Sequence, residues 1–162
     1  MDHKWQAWRR LPWQERSLFL QALVLFPMIA LALKLWGLQR VQTHLAKQFH
    51  DAAPVHSELF HCIAQTIYLV SRAGYYTPRW ANCLKRSLIL WYLLHRQGIE
   101  TDLRIGVRRC NGEFQAHAWV EYQGSVLNDV PDVHELYAAF EEPISFKRLI
   151  PDRNEYPKQM IL

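Results

Sequence analysis

The sequence predicts an α+β chain in which apolar helices come first and a small antiparallel sheet follows. Apolar residues recur at a helical period as far as Gly98. The period then falls to two, with Leu103, Ile105 and Val107 alternating with Arg104, Gly106 and Arg108. Asn111-Gly112 supplies the two positive-φ residues that a tight hairpin needs. At 162 residues, half of them apolar and 21% charged, the chain has a globular composition and enough length for one core, with no long accessory domain expected.

The first predicted element is the run Leu18 to Leu33, sixteen residues with Gln21 as the only polar side chain, flanked by Arg16 and Lys34. A bilayer span needs about 17 to 20 apolar residues, and Pro27 interrupts the run, so a buried pair of helices is expected, the second piece starting at Pro27 and ending near Gly37. Membrane insertion or docking on a membrane surface is the competing reading. Residues 39–53 are mixed polar. A second helix is expected from Pro54 to Ala73, on the recurrence of Val55, Leu59, Phe60, Ile63, Ile67 and Val70, with Gly74 as its stop. His56, His61 and Cys62 lie in it without metal-ligand spacing. A third runs from Cys83 to Gly98 with Leu84, Leu88, Trp91 and Leu94 on its buried stripe and Asn82 as N-cap.

Beyond the first strand, Phe114 to Glu121 reads as its hairpin partner, and Ser125 to Asp129 as a third strand after a turn closed by Gly124. Asp132 with Glu135 resembles a capping box opening a short helix towards Phe140. The remainder, with Pro143, Pro151 and Pro157, reads as an extended piece and a tail. The chain is therefore divided into an N-terminal helical extension, residues 1–53, and a core, residues 54–162.

Charge is unevenly spread. Residues 1–50 hold seven Lys/Arg and two acids, whereas the rest holds twelve and thirteen. The basic residues are scattered among Trp and Leu, which argues against nucleic acid and for a membrane surface or an acidic peptide partner. Three cysteines without a CxxC pair indicate neither a disulfide framework nor a zinc site, and suit a reducing cytoplasm. No phosphate-cradling glycine loop or HExxH is present, so the reading calls on no cofactor and no metal.

One constellation can carry chemistry. A cysteine attacks as thiolate, and a helix N-terminus with a nearby imidazole favours that form; Cys83 opens a predicted helix, and His117 sits mid-strand between Ala116 and Ala118. A three-residue loop of Tyr122, Gln123 and Gly124 would set Glu121 opposite Ser125, Trp119 opposite Leu127 and His117 opposite Asp129. A two-residue turn would shift the register by one and turn Asp129 to the wrong face. Cys83 then serves as nucleophile, His117 as base and Asp129 as the group that fixes the imidazole tautomer. The Cys83 backbone N–H faces the developing oxyanion, with Trp80 or Asn82 as candidate second donor. His134 and Asp132 are the nearest rivals, outside the paired strands, and Cys110 beside the Asn-Gly turn is expected to face solvent with no base opposite.

The segments Cys83-Leu84-Lys85-Arg86-Ser87-Leu88, Gly98-Ile99, Ile105-Gly106-Val107-Arg108 and Ala116-His117-Ala118-Trp119-Val120-Glu121, followed by Gly124 and Asp129, resemble the transglutaminase-like cysteine peptidases of lasso-peptide biosynthesis, the B2-type leader peptidases. Glu15-Arg16, the apolar run and Arg40-Val41-Gln42 resemble that family's entry helices, so the likeness covers roughly residues 12–135. It implies a papain-like or transglutaminase-like core, with the nucleophile on a central helix against an antiparallel sheet, and Cys83, His117 and Asp129 as the catalytic residues. The implied activity is removal of the leader from a ribosomally made precursor peptide, after which a separate cyclase closes a macrolactam. Some relatives carry a fused leader-recognition domain, for which this chain has no room. A separate recognition protein is therefore an expected partner, together with the cyclase. Acyl transfer to an amine, and a non-catalytic scaffold docking on membrane or cyclase, are the competing functions.

Overall fold

The computed structural model describes residues 12–48 and 58–140. Three helices come first: α1 (Trp13–Ala46), α2 (Leu59–Tyr76) and α3 (Cys83–Arg96). Strands β1 (Asp102–Cys110), β2 (Glu113–Tyr122) and β3 (Ser125–Val126) follow, then a single turn of helix, α4 (Val133–Leu136), and a last short strand, β4 (Ala138–Ala139). The sheet is antiparallel in the order β3-β2-β1-β4. The core lies around α3, which packs against α1, α2, β1 and β2.

The expected helix pair breaks at a different residue. α1 runs straight through Pro27 and is interrupted only at Gly37, whose φ of 75° is open to glycine and costly for other residues. Proline inside a helix costs about 3 kcal/mol. Here Phe26 and Ile29 on either side of it are buried, and burying two such side chains offsets that cost at about 1.5–3 kcal/mol each. The expectation of burial is also corrected. Phe19, Ala22, Phe26 and Ile29 enter the core, while Leu20, Val24, Met28, Leu31 and Leu35 are each half exposed or more on the opposite side. The stretch 39–46, read as mixed polar, is helical as well, beyond the break at Gly37, and buries Val41, Leu45 and Ala46.

The described part of α2 begins at Leu59; the expected start at Pro54 lies outside the described residues. Gly74 does not stop α2, which continues to Tyr76. Its role is close approach: a Cβ there would lie 3.0 Å from Arg86 Nε and 3.2 Å from the Phe26 ring. Phe60, expected on the buried stripe, points to solvent.

α3 matches its sequence signals at both ends. Asn82 caps it, its side-chain oxygen accepting from the Lys85 N–H at 3.0 Å. At the other end Gly98, with φ of 76°, donates to the His95 carbonyl and Ile99 to the Leu94 carbonyl, both at 3.0 Å, which is the Schellman pattern. Between them every residue from Ser87 to His95 is buried.

Burial also sets the charge state of His95. Desolvation outweighs the hydrogen bond to the Thr101 carbonyl and the nearby acids, and holds the imidazole below its ordinary value of 6.5. The unfolded chain thus binds a proton that the folded chain refuses, and stability should fall as pH drops below 6.5, by up to about 1.4 kcal/mol per pH unit. Denaturant titrations from pH 8 to pH 5 should show that part of the slope disappearing in His95→Gln. An unchanged slope in the variant would refute the assignment.

The β1–β2 hairpin turns at Asn111 (φ 52°) and Gly112 (φ 85°), as predicted. The β2–β3 turn differs from prediction. Gln123 (φ 50°) and Gly124 (φ 80°) form a two-residue turn, so Glu121 faces Val126 and Tyr122 faces Ser125. The third strand is two residues long, not five. The capping box at Asp132 does not form, because its side chain makes no cap bond; α4 ends at Leu136, and the residues expected to carry it on to Phe140 instead pair with β1 as β4. Tyr137 precedes that strand, and the Phe140 N–H closes it on the Ile105 carbonyl at 3.0 Å. The extended piece and tail expected after Pro143 lie outside the described residues.

Candidate active site

Cys83 is the first residue of α3. Asn82 cradles the next turn, accepting from Lys85 N–H through its side chain and from Arg86 N–H through its carbonyl, both at 3.0 Å. The N–H groups at the start of the helix, that of Cys83 included, stand outside the helical ladder and aim their positive end at the space before it. A cleft of about 360 Å³ opens there, lined by Asn82, Cys83 and Arg86 from the helix and by His117, Asn128 and Asp129 from the sheet side.

His117 and Asp129 meet as a hydrogen-bonded pair, Nε2 to Oδ2, both side chains about one-fifth exposed. The other carboxylate oxygen accepts from the Val130 N–H at 2.8 Å. With Nε2 engaged by Asp129, Nδ1 is the imidazole nitrogen left for exchanging protons.

The pair forms although the register that predicted it does not exist. Pairing on from Glu121–Val126 would carry position 130, not 129, to His117. The chain leaves the ladder before that point. Leu127 N–H still reaches the Val120 carbonyl at 2.9 Å, but the next bond to β2 comes from a side chain: Asn128 Oδ1 accepts from Val120 N–H at 2.8 Å. Asn128 Nδ2 donates to Ser87 Oγ at 2.9 Å, and that hydroxyl donates to the Ala118 carbonyl at 2.8 Å. This clamp ties α3, one turn beyond Cys83, to the strand bearing His117 and to the residue preceding Asp129. The sequence reading missed it. The available signal was Ser87, a hydroxyl on an otherwise apolar stripe, which must find a partner when buried.

A second group missed from sequence holds the imidazole ring. His117, Trp119 and Glu121 alternate onto one face of β2. His117 stacks on Tyr137 with ring centroids 4.9 Å apart and lies 6.3 Å from Trp119, while the Arg108 guanidinium sits 4.6 Å over Tyr137. Buried Glu121 accepts from Trp119 Nε1 at 2.6 Å and from Arg104 Nε at 3.1 Å, with His134 Nε2 at 3.3 Å. The rival His134 therefore belongs to this support and not to the cleft, and Asp132 is exposed at the start of α4. Cys62 packs at the edge of the helical core, and Cys110, half-buried, ends the first hairpin strand opposite Glu113. Among the described residues no group of three or more His, Cys, Asp or Glu converges to hold a metal.

The support depends on Gly106, the cross-strand partner of His117. A Cβ there would stand 2.9 Å from the buried Trp119 ring and 3.0 Å from Tyr137 Cβ, neither a freely moving chain end. Gly106→Ala should therefore destabilise the fold by about 1–3 kcal/mol, read as a lowered Tm, with loss of any activity that needs His117 in place. A Tm within a degree of the parent would refute the packing argument.

Helices stacked around a cysteine-opened central helix, against an antiparallel sheet that presents a His–Asp pair, define a transglutaminase-like α+β domain. The Transglutaminase-like superfamily matches residues 22–142, and the chain belongs to it. Among curated proteins the chain is similar to the microcin J25-processing protein McjB of Escherichia coli, 36% identical over 62 residues. That match covers 38% of this chain and 29% of the relative, so the chain spans less than a third of the curated protein it matches. No solved structure matches the chain significantly.

Proposed function

We propose that the chain is a cysteine peptidase that removes the leader from a lasso-type precursor peptide. The observation that carries the reading is the hydrogen-bonded His117–Asp129 pair opening onto the same cleft as the helix-initiating Cys83. Membership of the transglutaminase-like superfamily and likeness to a microcin-processing protein support it.

His117 Nδ1 takes the thiol proton, and Cys83 Sγ attacks the scissile carbonyl carbon. Charge developing on the carbonyl oxygen is met by the Cys83 N–H. Asn82, which lines the cleft and has its Oδ1 committed to Lys85, is assigned as the second donor through its Nδ2. Collapse of the tetrahedral adduct breaks the C–N bond, the leaving amine takes the proton from His117, and a thioester to Cys83 remains. Water, deprotonated by the same nitrogen, attacks the thioester and releases the leader as a carboxylate and Cys83 as the thiol. Asp129 holds Nε2–H throughout and stabilises the imidazolium.

In this reading residues 54–162 carry the chemistry, and the N-terminal extension, residues 1–53, meets partners. A separate protein brings the leader, and a cyclase consumes the freed amine, in a cytoplasm that keeps the free cysteines reduced. Mass spectrometry of the precursor peptide incubated with the protein and its recognition partner tests the proposal. A leader ending in a free carboxylate is the expected product. Incorporation of an added amine in place of water would make the protein an acyl transferase, and an unmodified precursor would leave only a scaffold.

A further inference from the structure

The outer face of α1 takes no part in the core or the cleft. Leu20, Val24, Met28, Leu31 and Leu35 recur every three or four residues as one stripe on that face, each at least 50% exposed. At about 1.5 Å per residue the stripe is about 22 Å long. Trp13 lies before its start and Trp36 at its end, 79% and 58% exposed. A contiguous apolar surface of this kind marks an interaction site.

The charge pattern points to what covers it. From Arg16 to Gln48 the chain contains no Asp or Glu and four Lys/Arg. Lys34, Arg40 and Lys47 among these are exposed. An anionic partner surface accounts for the lack of acids over thirty-three successive residues, because each carboxylate would be repelled and each Lys or Arg attracted, and the exposed leucine stripe favours lipid over an acidic peptide as that partner. Tryptophan at both ends of the stripe fits the same surface, since the indole favours the boundary between headgroups and acyl chains.

α1 is long and apolar enough to cross a bilayer. Its inner face argues that it does not. Phe19, Ala22, Phe26 and Ile29 are buried in the same core as residues of α2 and α3, and carrying α1 through a membrane would strip them from that core. We infer that α1 lies in the plane of an anionic bilayer surface, inserting its outer stripe while its inner face stays packed on the domain. This goes beyond the peptidase reading and does not rest on it.

The test uses the full chain and vesicles of phosphatidylcholine, alone or mixed with phosphatidylglycerol. Co-sedimentation should be at least about tenfold stronger with the anionic mixture, weaken in high salt, and be accompanied by a blue shift of tryptophan emission. Leu31→Gln with Leu35→Gln changes exposed positions only, and should cut binding at least about tenfold with circular dichroism unchanged; Lys34→Glu with Arg40→Glu should do the same. Equal binding to both vesicle types, or binding unaffected by these substitutions, would overturn the inference. So would a dimer in solution that the Leu31→Gln, Leu35→Gln pair dissociates, since the stripe would then belong to a second copy.

Discussion

Cys83→Ala is expected to abolish precursor cleavage, a loss of at least about 10³-fold in kcat, while leaving the fold intact. The sulfur is half-buried at the mouth of a cleft, and the helix start is secured by Asn82 and not by the thiol, so alanine removes the nucleophile without opening a cavity in the core. His117→Ala should match it closely, because a nucleophile and its base act as one unit. The measurement is the rate of leader release by mass spectrometry beside a thermal unfolding curve. An independent check is labelling by a thiol-reactive peptide electrophile, which should be lost in Cys83→Ala and kept when Cys62 or Cys110 is replaced. Cleavage by folded Cys83→Ala within tenfold of the parent would end the proposed mechanism.

Asp129→Asn should be as damaging, with a loss of about 10⁴-fold in kcat. The reason lies in the second carboxylate oxygen, which accepts from the Val130 N–H. An asparagine that keeps this bond turns its NH₂ towards His117, which forces the imidazole proton onto Nδ1 and removes the lone pair that must take the proton of Cys83. An asparagine flipped the other way offers its carbonyl to His117 but sets NH₂ against the Val130 N–H, donor to donor. Asp129→Asn should therefore bind precursor normally and fail in kcat. A rate within about tenfold of the parent would show that packing against Tyr137, not the carboxylate, orients the ring.

Features carried by local chemistry were legible in the sequence. The Asn82 cap, the Gly98 stop and the Asn111-Gly112 turn each depend on residues within one turn of chain, and each was found where expected. The meeting of His117 with Asp129 was also foreseen, though on a loop length that the protein does not use. What corrects the register is a long-range event, the Asn128 side chain reaching both β2 and Ser87 of α3, and no local pattern announces it. The same holds for Gly74, which reads as a helix stop but serves as a notch for Phe26 and Arg86. The Tyr137 and Glu121 support was hidden for a like reason: residues 133–140 carry turn and helix signals, and only contact with β1 and β2 turns them into a brace behind the imidazole.

The Asn128 clamp uncouples hairpin length from the placement of the His117–Asp129 pair. Because Asp129 is aimed by a side chain anchored to Val120 and Ser87, an extra residue slipped into Gln123-Gly124 would lengthen the tip and leave the carboxylate where it is. An insertion at this tip should thus leave the His117–Asp129 pair in place, whereas Asn128→Ala should displace it.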